Sequence, residues 1–154
     1  MTPADTRIVC DAMLGRLATY LRMCGYDTVY VLEEDAEADE AVAAIARDTG
    51  RVLVTRDRAL ATRVDDAICL SSTDIDGQLN ELVAAGVDLS LSTPTRCSRC
   101  NGRLERVTPD TSTPADEPDP GTTPVWACRA CGQRYWQGSH WDDVADRLRE
   151  LPMD

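Results

Sequence analysis

The chain contains no lysine and no phenylalanine, and its one histidine is His140. All 16 basic residues are therefore arginines, set against 27 acidic ones, for a net charge of -11. No apolar run approaches the roughly 18–20 residues that span a bilayer. Met1 to Arg7 also lacks a basic segment followed by an apolar stretch. No membrane contact and no secretory leader are expected, and the cytoplasm is the expected compartment. An acidic, lysine-free composition is that of proteins from salt-loving organisms. A dense carboxylate surface stays hydrated, and at about 1 M salt a screening length near 3 Å removes most of its self-repulsion. Against this background an acidic total does not exclude nucleic acid, and local departures are more informative. Residues 96–107 are one such departure, with Arg96, Arg99, Arg103 and Arg106 against a single Glu105.

Seven cysteines, an odd number in a chain where no leader is expected, argue against a disulfide framework. Cys10, Cys24 and Cys69 fall in apolar segments and are expected to be small buried hydrophobes. The other four make two pairs, Cys97-x2-Cys100 and Cys128-x2-Cys131. Zinc takes four tetrahedral ligands, with thiolates at about 2.3 Å, and each CxxC turn offers two sulfurs to one side of such a site. Gly102 and Gly132 follow the two pairs as tight turns require. With four sulfurs bound, no position is left for substrate, so Zn2+ here is expected to be structural. Rubredoxin-like iron would use the same ligands, and redox chemistry or disulfides are the competing uses of the pairs.

Apolar patterning alternates between strands and helices. Strands are predicted at 7–10, 28–32, 51–54 and 67–70. Helices are predicted from Leu14 to Cys24, from Asp39 to about Thr49, near 58–64, and from a cap at Ser72 or Thr73 to Gly86. Such alternation predicts an α/β fold, a parallel sheet flanked by helices. Residues 1–90 form this domain, residues 87–95 lead out of it, and residues 96–154 hold the four-cysteine zinc ribbon and a terminal helix over 141–150. Within the ribbon, residues 108–124 are rich in Pro, Thr and Asp and read as a flexible insertion.

Three acidic positions fall at related points of this topology. Asp11 follows the first strand, Asp57 follows the third, and Asp39 opens the helix leading into the third. All three belong to the edge of a parallel sheet where ligands bind. Their repulsion calls for a hard divalent cation, Mg2+ or Mn2+. The alternative is that Asp11 and Asp39 cap helices and Asp57 shapes a turn. A phosphoryl-accepting domain of receiver type also clusters aspartates, but it needs a lysine that is absent here.

The stretch Asp11-Ala-Met-Leu-Gly-Arg-Leu-Ala with the following Gly25-Tyr-Asp-Thr resembles the opening of the Mut-seven C-terminal RNase domain. Leu53-Val-Thr-Arg-Asp57-Arg and the closing Cys128-x2-Cys131-Gly-x2-Tyr-Trp136-x-Gly-Ser-His140-Trp141 resemble it too. The resemblance implies a PIN-like fold and a metal-dependent endoribonuclease with Asp11, Asp39 and Asp57 as its catalytic and Mg2+- or Mn2+-binding acids, and with the lysine-free composition a halophilic archaeon is the expected source. A fourth acid of the PIN pattern has no clear counterpart, Asp74 and Asp76 being the nearest candidates. RNA is the implied partner. Arginine offers phosphate a planar fork that outlasts salt screening, and aromatic rings offer stacking surfaces. The candidates are Arg16 on the first helix and Arg99, Arg103, Arg134, Tyr135, Trp136 and His140 on the ribbon. Trp126 and Trp141 either stack on RNA or pack the ribbon. A different class of function would use the same residues: a non-catalytic RNA- or ribosome-associated module on a PIN-like fold.

Overall fold

The computed structural model of the protein describes residues 1–151. Strands β1 (Ile8–Cys10), β2 (Thr28–Tyr30), β3 (Val52–Thr55) and β4 (Ala67–Cys69) form a parallel sheet in the order β2-β1-β3-β4. The expected parallel sheet flanked by helices is therefore present. Helices α1 (Gly15–Met23) and α4 (Ile75–Ala84) cover one face, and α2 (Asp39–Asp48) and α3 (Arg58–Ala61) the other. The alternation of side chains along each strand explains the two layers. Ile8, Cys10 and Val54 join the core with Leu17, Leu21, Leu79 and Leu82. Val9 and Leu53 join that of Val42, Ala46 and Leu60. Strands buried on both faces read as unbroken apolar runs, which is why three or four residues of sequence suffice to mark each one. From β1 the chain winds to β2 on one side, then crosses back to β3 on the other. The topological switch point thus lies between the C-terminal ends of β1 and β3.

Several local expectations need correction. Residues 31 and 32 do not extend β2: Val31–Glu34 turn as a 3-10 helix. Neither Ser72 nor Thr73 caps α4; Asp74 does, its carboxylate accepting from the Gly77 N–H at 3.0 Å. Cys10 and Cys24 are buried, and burial pushes both thiols up to about 12, so they act as inert hydrophobes. Cys69, at the end of an edge strand, is exposed. The terminal helix α5 (Ser139–Arg149) starts two residues earlier and ends one residue earlier than predicted, and residues 152–154 of the expected C-terminal domain lie outside the described residues. Its apolar line of Val144, Leu148 and Leu151 packs into the core of α1 and α4 rather than on the ribbon that precedes it in sequence.

The ribbon is an antiparallel sheet of β5 (Leu104–Arg106), β6 (Val125–Cys128) and β7 (Arg134–Trp136), with β6 in the middle. Residues 108–124 contain no strand or helix but are closed by local turns, and Glu117 ties them back to Arg134 at 3.3 Å. The ribbon docks on the N-terminal edge of the parallel sheet. Asn101 accepts from the Thr28 N–H at 2.9 Å and donates to Asp27 at 2.7 Å. Arg51 joins Asp27 at 2.9 Å, and buried Arg22 donates to Thr28 O and Ser98 O. Arginine suits this junction because one guanidinium reaches several carbonyls at once. The hydrogen bonds of Arg51 and Asn101 hold the Asp27 carboxylate below its ordinary range despite burial, which acts the other way.

Candidate functional site

Asp11 leaves the end of β1 with its backbone N–H still in the sheet, donating to Val54 O at 3.0 Å. One carboxylate oxygen accepts from the Ala12 N–H at 2.7 Å, and the other from the Thr55 hydroxyl at 2.7 Å. Thr55 is wholly buried at the end of β3, and its same oxygen accepts from the Asp57 N–H at 3.0 Å. One hydroxyl therefore ties the first acid to the backbone of the third across the switch point. Asp57 then caps α3, accepting from the Ala59 and Leu60 N–H groups at 2.9 and 3.2 Å through one oxygen. Tyr30 holds the loop after Asp11 by donating to Ala12 O at 2.6 Å, with its ring against Gly15, where a Cβ would lie 3.1 Å from the phenol oxygen.

The alternative of caps at Asp11 and Asp39 does not hold, and Asp57, for which the alternative is a turn, caps α3. Residue Leu14 precedes α1 without side-chain capping, and Asp39 is the first residue of α2 rather than its cap. Asp39 stands at the same sheet edge by topology, and its carboxylate accepts no hydrogen bond among the described residues. Among the described residues, the only group of three or more His, Cys, Asp or Glu drawn within 4.8 Å of one another is the four cysteines. Asp11, Asp39 and Asp57 share an edge but are not closed to that distance. Thr55 does not stand out as a functional residue in the sequence, although it belongs to the Thr-Arg-Asp segment that carries the resemblance. Burial of a threonine at a strand end cannot be read from the pattern.

The second centre is the ribbon's cysteine group. Sulfurs of Cys97 and Cys131 lie 3.7 Å apart and those of Cys100 and Cys128 3.5 Å apart. A tetrahedron with 2.3 Å bonds has edges of about 3.8 Å, which these two separations match, and all four sulfurs lie within 4.8 Å of one another, so the group could hold a metal such as zinc. Both knuckles have the same form. Asn101 and Gly132 each follow the second cysteine of a pair with φ of 72° and 79°, and each donates its N–H to the carbonyl of the pair's first cysteine. The left-handed position thus belongs to Asn101, not to Gly102. Gly102 is required for another reason: a Cβ there would meet the Cys128 sulfur at 2.6 Å. Burial would raise the Cys128 thiol, but N–H groups of Cys131 and Ala130 aimed at its sulfur bring it down to about 7, which favours the thiolate a metal needs.

The RNA-contact candidates are divided between the two edges. Arg16 lies at the acidic edge, stacked on Tyr20 at 5.9 Å. Arg99 and Arg103 are exposed on the ribbon. Arg134, Tyr135, Trp136 and His140 line a cavity of about 270 Å³ between the ribbon, Met23 of α1 and Trp141 of α5. Tyr135 has a structural task as well, since its hydroxyl lies 3.0 Å from the Cys97 sulfur. Trp126 is buried beneath Arg106 and packs the ribbon.

An α/β domain with Asp11 tied through Thr55 to the Asp57 backbone at its switch point, joined to a four-cysteine ribbon, defines the class. Within it, the family described as Mut7-C RNAse domain matches residues 6–148, and the chain belongs to that family. No curated protein and no solved structure matches the chain.

Proposed function

We propose that the protein is a metal-dependent endoribonuclease with a PIN-like fold, cutting RNA at the edge that carries Asp11, Asp39 and Asp57. The observation that carries this reading is the Thr55 hydroxyl, which fixes the Asp11 carboxylate beside Asp57 at the switch point of a chain belonging to an RNase domain family. Two of the roughly four lone-pair sites of Asp11 are used by its own fold, and one oxygen of Asp57 takes no bond among the described residues. Hard oxygen donors of this kind suit hydrated Mg2+ or Mn2+, which binds through one or two carboxylates plus waters and phosphate oxygens and so does not need all three acids in contact. A cation held there would supply an activated water and neutralise charge on the phosphoryl group. Asp11, held at both oxygens, would orient the attacking water, and Asp39 would complete the negative surface. The ribbon zinc is structural in this reading and braces the opposite edge. RNA contact by Arg16, and by Arg99, Arg103, Arg134, Trp136 and His140, extends the reading to both edges.

The test is cleavage of single-stranded RNA with Mn2+ or Mg2+ in about 1 M KCl, where screening of the acidic surface is nearly complete. Asp57→Asn retains a capping side chain, so a fall of at least tenfold, about 1.4 kcal/mol of barrier, reports on chemistry rather than folding. Asp11→Asn is expected to do at least as much. If the triple Asn variant cuts as well as wild type, the activity is contamination. RNA binding by a wild type that cuts nothing would show a non-catalytic RNA- or ribosome-associated module instead.

A further inference from the structure

Beyond Asp57, between α3 and the end of β4, lies a cavity of about 550 Å³ lined by Arg56, Arg58, Thr62, Cys69 and Ser71. Its two guanidinium groups flank Asp57 in sequence, and neither forms an ion pair among the described residues. The Nε of Arg56 is shielded from solvent and has no hydrogen-bond partner. Nine of the 16 arginines form no ion pair among the described residues, so what sets these two apart is their place, both lining one cavity beside Asp57. The acid between them is committed to the N–H groups of Ala59 and Leu60. Glu81, which holds the neighbouring turn, is committed to both Ser71 donors and the Ser72 N–H. Polar donors left unmatched in a cavity are groups awaiting an acceptor, and paired guanidinium forks match phosphate oxygens.

We propose that this cavity is a phosphate site for single-stranded nucleic acid, holding a phosphodiester next to the one presented to Asp11 and Asp57. The site rests on the ribonuclease reading for its role but not for its existence. It reads backbone rather than base, because its walls offer charge and hydroxyls and no aromatic ring.

Two measurements on zinc-loaded protein test it with 2′-O-methyl octauridylate, a ligand whose blocked 2′-hydroxyl slows cleavage, in the absence of Mg2+ and Mn2+. The first is affinity. Arg58→Glu, at an exposed position, and Arg56→Gln should each weaken binding at least tenfold, and Arg58→Ala should lower the salt slope of log Kd by about one. Arg63→Ala, at an exposed position just after α3 and outside the cavity, should change neither. The second is a thiol footprint. Cys69 is exposed and lines the cavity, so saturating oligonucleotide should slow its alkylation by iodoacetamide at least fivefold, read by peptide mass spectrometry. Failure of the wild type to bind, unchanged affinity in both arginine variants, or an unprotected Cys69 at saturation overturns the proposal. These results stand apart from cleavage. A protein that binds through Arg56 and Arg58 yet never cuts RNA keeps the site and loses the ribonuclease reading. One that cuts RNA with Arg58→Glu binding as wild type does the reverse.

Discussion

Thr55→Val keeps a branched side chain in a fully buried position and removes only the hydroxyl. The Asp57 N–H then loses its acceptor and one Asp11 oxygen its donor, a cost of about 1–3 kcal/mol for the groups left unmatched. Cleavage should fall by tenfold or more, and Thr55→Ser should restore most of it. A lower Tm with an unchanged rate would reduce Thr55 to a structural residue. The ribbon offers a sharper steric test. Gly102→Ala puts a Cβ 2.6 Å from the Cys128 sulfur and 3.1 Å from Ala130 Cβ, contacts that the knuckle can relieve only by moving a ligand. Overpacking of this kind costs about 1–3 kcal/mol. Elemental analysis after dialysis should find less than one zinc per chain, and full retention would show that the knuckle gives way easily. The cysteine spacing announced this centre plainly. The left-handed residue at the first knuckle was not legible, because asparagine tolerates positive φ without demanding it, and Asn101 is chosen also for its reach to Asp27 and Thr28.

Helix α4 shows how an element is anchored by charge. Glu81 reaches back to the turn after β4, accepting from Ser71 N and Oγ and from Ser72 N at 2.8–2.9 Å. Burial acts to raise its carboxyl, but these donors outweigh it and bring it from 4.5 down to about 2. A folded-state value below the unfolded one means that the anchor contributes stability above pH 4.5, and that this contribution is lost as pH falls from there towards 2. Glu81→Gln should therefore have a lower Tm than wild type at neutral pH, with the gap narrowing below pH 4.5. Protonation of the thiolates releases zinc from both proteins alike, so the difference isolates Glu81. A gap that stays constant down to pH 3 would refute the assignment. Elements themselves were legible wherever a buried strand or amphipathic helix wrote its period into the chain, as Leu17 and Leu21 of α1 and Val52 to Val54 of β3 do. Their partners were not. Nothing in Val144, Leu148 and Leu151 says that α5 returns to α1 and α4 instead of resting on the ribbon. Nor does the ribbon's sequence say that it docks on the sheet edge opposite Asp11, since that junction is made by a few isolated polar contacts, of Arg22 with Ser98 O, of Asn101 with Thr28 and Asp27, and of Arg96 with Asp27.

At the scale of the whole molecule the two edges of the sheet have opposite electrostatic tasks. The ribbon edge is neutralised: Asp27 is met by Arg51 at 2.9 Å and by Arg96 at 3.7 Å, and Glu33 by Arg22 at 2.6 Å. The other edge keeps Asp39 uncommitted and Arg56 and Arg58 without carboxylate partners among the described residues. Even perfect pairing of every arginine would leave a net charge of -11 on the surface. Two effects of salt therefore compete. Screening weakens exposed ion pairs such as Arg129–Glu105 and Arg149–Asp146, but each of these is worth only about 0–1 kcal/mol to begin with. Screening also relieves repulsion among the excess carboxylates, and that repulsion acts over the whole surface at low salt, where the screening length is about 10 Å. The second effect should win. Raising KCl from about 0.1 M to 1 M shortens the screening length to about 3 Å, and Tm should rise by about 5 °C, on the order of 1–2 kcal/mol for a chain of this size. Junction pairs should respond differently. Asp27 and Arg51 are largely shielded, so the destabilisation by Asp27→Asn should persist at 1 M KCl while that of Glu105→Gln disappears. A Tm that falls with added KCl would mean that the exposed arginine pairs outweigh the carboxylate excess, and with it the composition would lose its link to concentrated salt.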